Sequence, residues 1–118
     1  MKKLKLYHWL LLLMAGFVVS SFHTPTKPAN DGKIRTIVID AGHGGKDPGA
    51  LGSVAKEKDI TLAIATDLKK TLNEKLPEIK VVMTRDDDTF IELSNRAGEV
   101  AKNEADFFIS IHCNSNKN

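Results

Sequence analysis

A chain of 118 residues, 42% hydrophobic and 27% charged, is long enough for one small domain, and roughly 85 residues from Ile34 onward carry a globular pattern. The formal net charge of +2 becomes −1 once Lys2, Lys3 and Lys5 are set aside as part of a leader, so no basic stripe is left to neutralise the phosphates of a nucleic acid. The single cysteine, Cys113, excludes an intrachain disulfide and a cysteine-rich structural zinc site, which leaves His and carboxylate as the only ligands for a metal.

Residues 1–21 read as an export signal: lysines at 2, 3 and 5, an apolar run from Trp9 to Val19, then Ser20 and Ser21, with cleavage expected after Ser21. At ~1.5 Å per residue, eleven apolar residues cover about half of a ~30 Å hydrocarbon core, so a stable membrane span is the weaker reading, and the expected location is the periplasm or cell envelope. No cysteine follows the apolar run to accept a lipid. Residues 22–33 form a polar linker containing two prolines.

From Ile34 the pattern changes to Ile-Arg-Thr-Ile-Val-Ile-Asp, a β-branched run suited to a buried strand that ends at Asp40. The loop from Ala41 to Lys56 holds five of the eight glycines, as a backbone that turns sharply requires. Between Glu57 and Leu72, the residues Ile60, Leu62, Ala63, Ile64, Ala65, Leu68 and Leu72 recur at helical spacing. Ile79–Thr84 forms a second strand. Asp88 or Thr89 is expected to cap a second helix carrying Ile91, Leu93, Ala97, Val100 and Ala101, and a third strand runs from Asp106 to Ile111. This alternation predicts an α/β fold with a mostly parallel or mixed central sheet flanked by helices. Three strands and two helices leave a face or an edge uncovered, so the domain reads as incomplete at its C-terminus.

Open α/β sheets place their chemistry at the carboxyl ends of the strands. His43 and His112 both follow predicted strands, and Glu57 opens the first helix. Two imidazoles and a carboxylate suit one Zn²⁺ with a fourth position left to water, the arrangement of a hydrolytic site. Each has a plainer reading. A glutamate at a helix start complements the dipole, and a histidine at a strand end is often a satisfied structural residue; on spacing alone the alternatives stay open.

Five motifs in order, Ile39-Asp-Ala-Gly-His-Gly-Gly-Lys-Asp-Pro-Gly-Ala50, Glu57-Lys-Asp59, Met83-Thr-Arg85, Leu93-Ser-Asn-Arg96 with Ala101-Lys-Asn103, and Ser110-Ile-His-Cys-Asn114, resemble the zinc-dependent N-acetylmuramoyl-L-alanine amidases of the amidase 3 type. The resemblance implies that His43, Glu57 and His112 hold one zinc ion. It further implies hydrolysis of the amide between N-acetylmuramic acid and the L-alanine of the stem peptide, with peptidoglycan as the partner. The family's general-base glutamate is expected beyond Asn118, so the chain reads as the amino-terminal part of the catalytic domain.

Asp40 is expected to accept a hydrogen bond from a ligand imidazole or simply to end its strand. Ser110 and Asn114 alternate with His112 and so share its side, within reach of its ring or of the substrate. Arg85 and Arg96 are read first as partners of Asp86, Asp88 or Glu92, and second as ligands for a stem-peptide carboxylate. Cys113 is read as a small apolar residue. A noncatalytic, zinc-containing cell-wall binding or regulatory remnant is the alternative. A phosphate cradle fails because Gly44-Gly-Lys46 lacks the Gly-Lys-Ser/Thr ending. A Ser110-His43-Asp40 hydrolase lacks the Gly-x-Ser-x-Gly elbow.

Overall fold

In the computed structural model, which describes residues 31–113, strand β1 (Thr36–Ala41) lies at the centre of a three-stranded sheet. Its neighbours are β2 (Lys80–Met83) and β3 (Phe107–Ile111), both parallel to it, in the order β2-β1-β3. Helix α1 (Glu57–Lys75) connects β1 to β2, and helix α2 (Leu93–Lys102) connects β2 to β3. Lys33 opens the compact unit that holds these elements. The expected signal, nearly all of the expected linker and Asn114 lie outside the described residues.

A central parallel strand is covered on both faces, which is why β1 reads as an almost unbroken apolar run. Its alternate residues divide two environments. Ile37, Ile39 and Ala41 form the core with Ala65, and Leu62, Leu68 and Leu72 of α1 pack against them together with Val81, Met83, Ile109 and Ile111. Val38 and Asp40 point to the opposite face and are also buried. Ile60 and Ile64 were expected on the packed side of α1 but are 39% and 48% exposed. The apolar stripe is wider than the sheet it covers, and buried Thr61 takes the place nearest the strand ends.

The second helix starts later than expected. It opens at Leu93 with Glu92 preceding it and no side-chain cap, whereas Asp88 accepts from the Gly45 amide (2.8 Å) and from Lys58 Nζ (2.6 Å). Lys58 is buried and also donates to the Gly45 carbonyl (3.0 Å), so its ammonium competes successfully for the carboxylate that would have capped the helix. This linkage fastens the glycine loop to the turn after β2.

The arginines also depart from expectation, since neither pairs with Asp86, Asp88 or Glu92. Arg96 is buried and pairs with Asp40 at 2.7 Å, while donating to the carbonyls of Ala41 (2.8 Å), His43 (2.7 Å) and Ile91 (3.0 Å). Arg85, also buried, donates to the carbonyls of Ala41 (2.9 Å), Gly42 (2.9 Å), Lys58 (2.8 Å) and Asp87 (2.8 Å). Backbone leaving a strand inside a protein has carbonyls without ladder partners. These two guanidinium forks satisfy them.

Asp40 closes the network by accepting from Thr84 Oγ1 (2.8 Å), just past β2, and from Ser110 Oγ (2.7 Å) in β3. Burial raises its pKa, but the hydrogen bonds from Arg96, Ser110 and Thr84 and the Arg96 charge outweigh burial and hold the carboxyl below the usual range. A depressed folded-state value contributes stability that is present above the unfolded value, about pH 4, and is lost as pH falls through the folded one. The thermal midpoint of the protein is therefore expected to drop on acidification below about pH 4, and by less in Asp40→Asn, which has no carboxyl there to titrate. Equal acid sensitivity in the two proteins counts against this linkage. Arg96→Ala leaves Asp40 buried without its counter-charge and is expected to lower the unfolding free energy by about 3–5 kcal/mol in urea titration. Arg96→Lys restores only part of this, because an ammonium cannot fork between a carboxylate and several carbonyls.

Candidate metal centre

Parallel pairing brings the carboxyl ends of all three strands to one edge of the sheet, and there His43 and His112 meet. His43 lies two residues past β1 and His112 one residue past β3, while Glu57 is the first residue of α1. His43 Nε2 is 3.0 Å from Glu57 Oε1, and His112 Nδ1 is 3.2 Å from both of those atoms. The two rings meet edge to face at 81° with centroids 4.9 Å apart.

These separations lie within hydrogen-bond reach and also match the spacing of ligand atoms around a metal. Zinc bonds of about 2.0–2.1 Å at the tetrahedral angle set neighbouring ligand atoms about 3.3 Å apart. Three lone-pair-bearing atoms have converged at close to that spacing. Without a cation between them, such atoms repel unless protons intervene.

The backbone is shaped around the trio. His43 has a φ of 61°, in the left-handed region, where a non-glycine residue is held only by its surroundings. Arg96 supplies part of that hold through the His43 carbonyl. A Cβ at Gly42 would lie 2.6 Å from His112 Nε2 and 2.7 Å from its Nδ1, so the ring occupies space that only glycine leaves. Gly49 has a φ of 64°, and a Cβ there would come within 2.7 Å of both Glu57 Oε2 and His43 Cδ2.

Glu57 is buried, and its carboxylate is turned away from its own helix axis toward the histidines. Oε2 accepts from the Ala50 amide (2.8 Å) and Oε1 from the Cys113 amide (2.7 Å). Burial raises the Glu57 pKa, but these two amides and the neighbouring His43 and His112 outweigh it and keep the carboxyl below its ordinary value. Cys113 therefore contributes its backbone to the site.

Asp40 does not meet an imidazole: its carboxylate is taken up by Arg96, Thr84 and Ser110. The carboxylate bonded to a ligand ring is that of Asp47, with Oδ2 2.8 Å from His43 Nδ1. Hydrogen bonds from His43 and from the Gly49 amide hold the Asp47 carboxyl below the usual range. Sequence reasoning gave Asp47 no role, and its only signal was a position four residues after a histidine in an irregular loop. Ser110 and Arg96 belong to the network under the site, with their polar atoms bonded to Asp40. A groove of about 740 Å³ leaves the trio between α2 and β3, lined by His43, Asp47 and His112 at one end and by Leu93, Val100 and Phe108 further along.

This α/β architecture recurs in known proteins. Residues 37–118 match the N-acetylmuramoyl-L-alanine amidase family of the amidase 3 type, and the chain belongs to that family. It is 44% identical over 81 residues to the endolysin of Bacillus phage SPP1, covering 69% of this chain and 30% of that protein. It is 46% identical over 92 residues to the N-acetylmuramoyl-L-alanine amidase AmiC of Escherichia coli O6:H1, covering 75% of this chain and 22% of that one. The catalytic domain of CwlV, an N-acetylmuramoyl-L-alanine amidase from Bacillus (Paenibacillus) polymyxa var. colistinus, superposes with a TM-score of 0.69 at 42% identity, covering 72% of this chain and 48% of that one. The chain thus spans less than half the length of each of these relatives.

Gly42→Ala tests the steric account of the cage. The added methyl displaces the His112 ring, and a zinc affinity at least about tenfold weaker is expected in chelator competition, since outer-shell disturbances of ligand orientation cost about 10–100-fold. Unchanged affinity would show that the ring position does not depend on the missing Cβ.

Proposed function

We propose that this chain supplies the metal-binding part of a peptidoglycan amidase centre, which hydrolyses the amide between N-acetylmuramic acid and the L-alanine of the stem peptide. The observation that carries the reading is the convergence of His43 Nε2, Glu57 Oε1 and His112 Nδ1 to 3.0–3.2 Å of one another, in a member of the amidase family. His43, Glu57 and His112 would hold Zn²⁺, whose chemistry when bound would be an ionisable water and polarisation of the scissile carbonyl.

The chain's own residues account for the rest of the reading. The two histidines would hold the ion without adding charge, while Glu57 would add one negative charge directly and Asp47 a second from behind His43. The Ala50 and Cys113 amides fix both Glu57 oxygens, which prevents the carboxylate from swinging out of the cage. Asp40 is enclosed by three donors and Asp47 is committed to His43, so neither serves as proton acceptor for an attacking water. That role falls to the further glutamate implied by the family resemblance.

The substrate lies outside the cytoplasm, in agreement with the lysine-flanked apolar leader at residues 1–21. Among the described residues no helix is long and apolar enough to cross a membrane.

A chimera tests the reading directly. Residues 37–118 replace the matching segment of the CwlV catalytic domain, and new L-alanine amino termini released from purified peptidoglycan are counted. The zinc-loaded chimera is expected to be active, and His43→Ala, Glu57→Ala and His112→Ala are each expected to reduce turnover to background. A folded, zinc-loaded chimera without activity, or one whose activity survives these substitutions, would overturn the assignment.

A further inference from the structure

We infer that Asp47 is the positioning residue for the first metal ligand: it fixes the tautomer and rotation of His43 so that Nε2, and not Nδ1, offers its lone pair to the cage. The inference rests on the metal-centre reading above and adds a residue to it. A neutral imidazole carries one N–H and one lone pair. With Nδ1 at 2.8 Å from the Asp47 carboxylate, the proton belongs on Nδ1, and the lone pair is left on Nε2. Nε2 is the atom that lies 3.0 Å from Glu57 Oε1 and 3.2 Å from His112 Nδ1.

Asp47 is itself held in place by contacts that leave Oδ2 for the ring. Its amide donates to the Gly44 carbonyl at 3.0 Å, and its carbonyl accepts from the Gly44 amide at 2.9 Å. Its Oδ1 accepts from the Gly49 amide at 3.1 Å. This closed turn carries the carboxylate back over the histidine that precedes it. Asp47 also supplies charge: with Glu57 it places two negative groups around a divalent ion, and hydrogen bonding to a carboxylate raises the basicity of the ligand ring.

His112 directs Nδ1 at the cage, with its ring over Gly42. His43 directs Nε2 there from a left-handed residue, and the hydrogen bond between its far nitrogen and Asp47 sets the rotation of its ring.

The test compares the 118-residue chain with Asp47→Ala and Asp47→Asn. Zinc affinity is measured by chelator competition, and the His43 imidazole proton is followed by ¹H–¹⁵N NMR at saturating zinc. Asp47→Ala is expected to weaken zinc about 10–100-fold and to lose the slowly exchanging Nδ1 proton resonance. Asp47→Asn keeps an oxygen acceptor and the backbone turn but lacks the charge, so it falls between the two and retains the proton. It also guards against misfolding of the alanine variant. Wild-type zinc binding with unchanged affinity and an unchanged Nδ1 proton in a folded Asp47→Ala protein overturns the role of Asp47 alone. A wild-type chain that binds zinc no better than His43→Ala overturns the metal-centre reading and this inference with it.

Discussion

The glycine loop after the central strand stays in place because two buried guanidinium groups hold its carbonyls. Arg85 takes those of Ala41 and Gly42, and Arg96 takes those of Ala41 and His43. A strand that ends inside a protein exposes acceptors to an environment without water, and each one left unpaired costs about 1–3 kcal/mol. Arginine suits this place because its fork reaches several acceptors at once, which an ammonium cannot do. Arg85 follows β2 and Arg96 lies on α2, so the loop is gripped from two elements that share no backbone. The positive φ of His43 is retained by the same grip.

Two parallel strands and a helix start then aim three donor atoms at one point. Each of the three side chains has its own contacts: His43 meets Asp47 and, through its carbonyl, Arg96; His112 lies in the space above Gly42; and Glu57 accepts from two backbone amides. The contacts from Asp47, Gly42 and the Ala50 amide come from the loop between Gly42 and Ala50, and those from Arg96 and Cys113 come from outside it. Lys58 and Asp88 extend the fastening by joining Gly45 to the turn beyond β2, and Lys46 lies 4.3 Å over the Phe90 ring in the same region.

The strands and helices were legible in the sequence because their periodicity is local. The first helix begins at Glu57 as expected and runs to Lys75, beyond the expected Leu72; each strand starts one or two residues later than expected. His43, Glu57 and His112 were legible as a set through the family resemblance; their places at strand ends and a helix start made them candidates but left plainer readings open. The bonds of the polar network, such as those spanning 30 and 56 residues, were not legible. Nothing near Arg96 in the chain points to Asp40, and the closer acidic residues Glu92 and Asp88 were the natural guess. Asp88 looked like a cap because caps are local, yet a buried lysine 30 residues away claimed it. Asp47 was overlooked for a different reason: its bond to His43 spans four residues, but irregular backbone has no periodicity from which such a contact can be read.

One strand does two jobs through its alternation. On one side of β1, Ile37, Ile39 and Ala41 meet α1 and make the core; on the other, Asp40 collects Arg96, Thr84 and Ser110 from three other segments. A shift of register by one residue would bury Asp40 among the leucines of α1 and turn Ile39 toward the arginines, so core and polar network select the same register. The position of His43 inherits that selection. It lies two residues beyond the strand, and the carbonyls of Ala41, Gly42 and His43 are gripped in sequence before the ring is reached. The placement of the His43 ring therefore begins in the hydrophobic core, passes through Asp40 and the arginines, and ends at the imidazole.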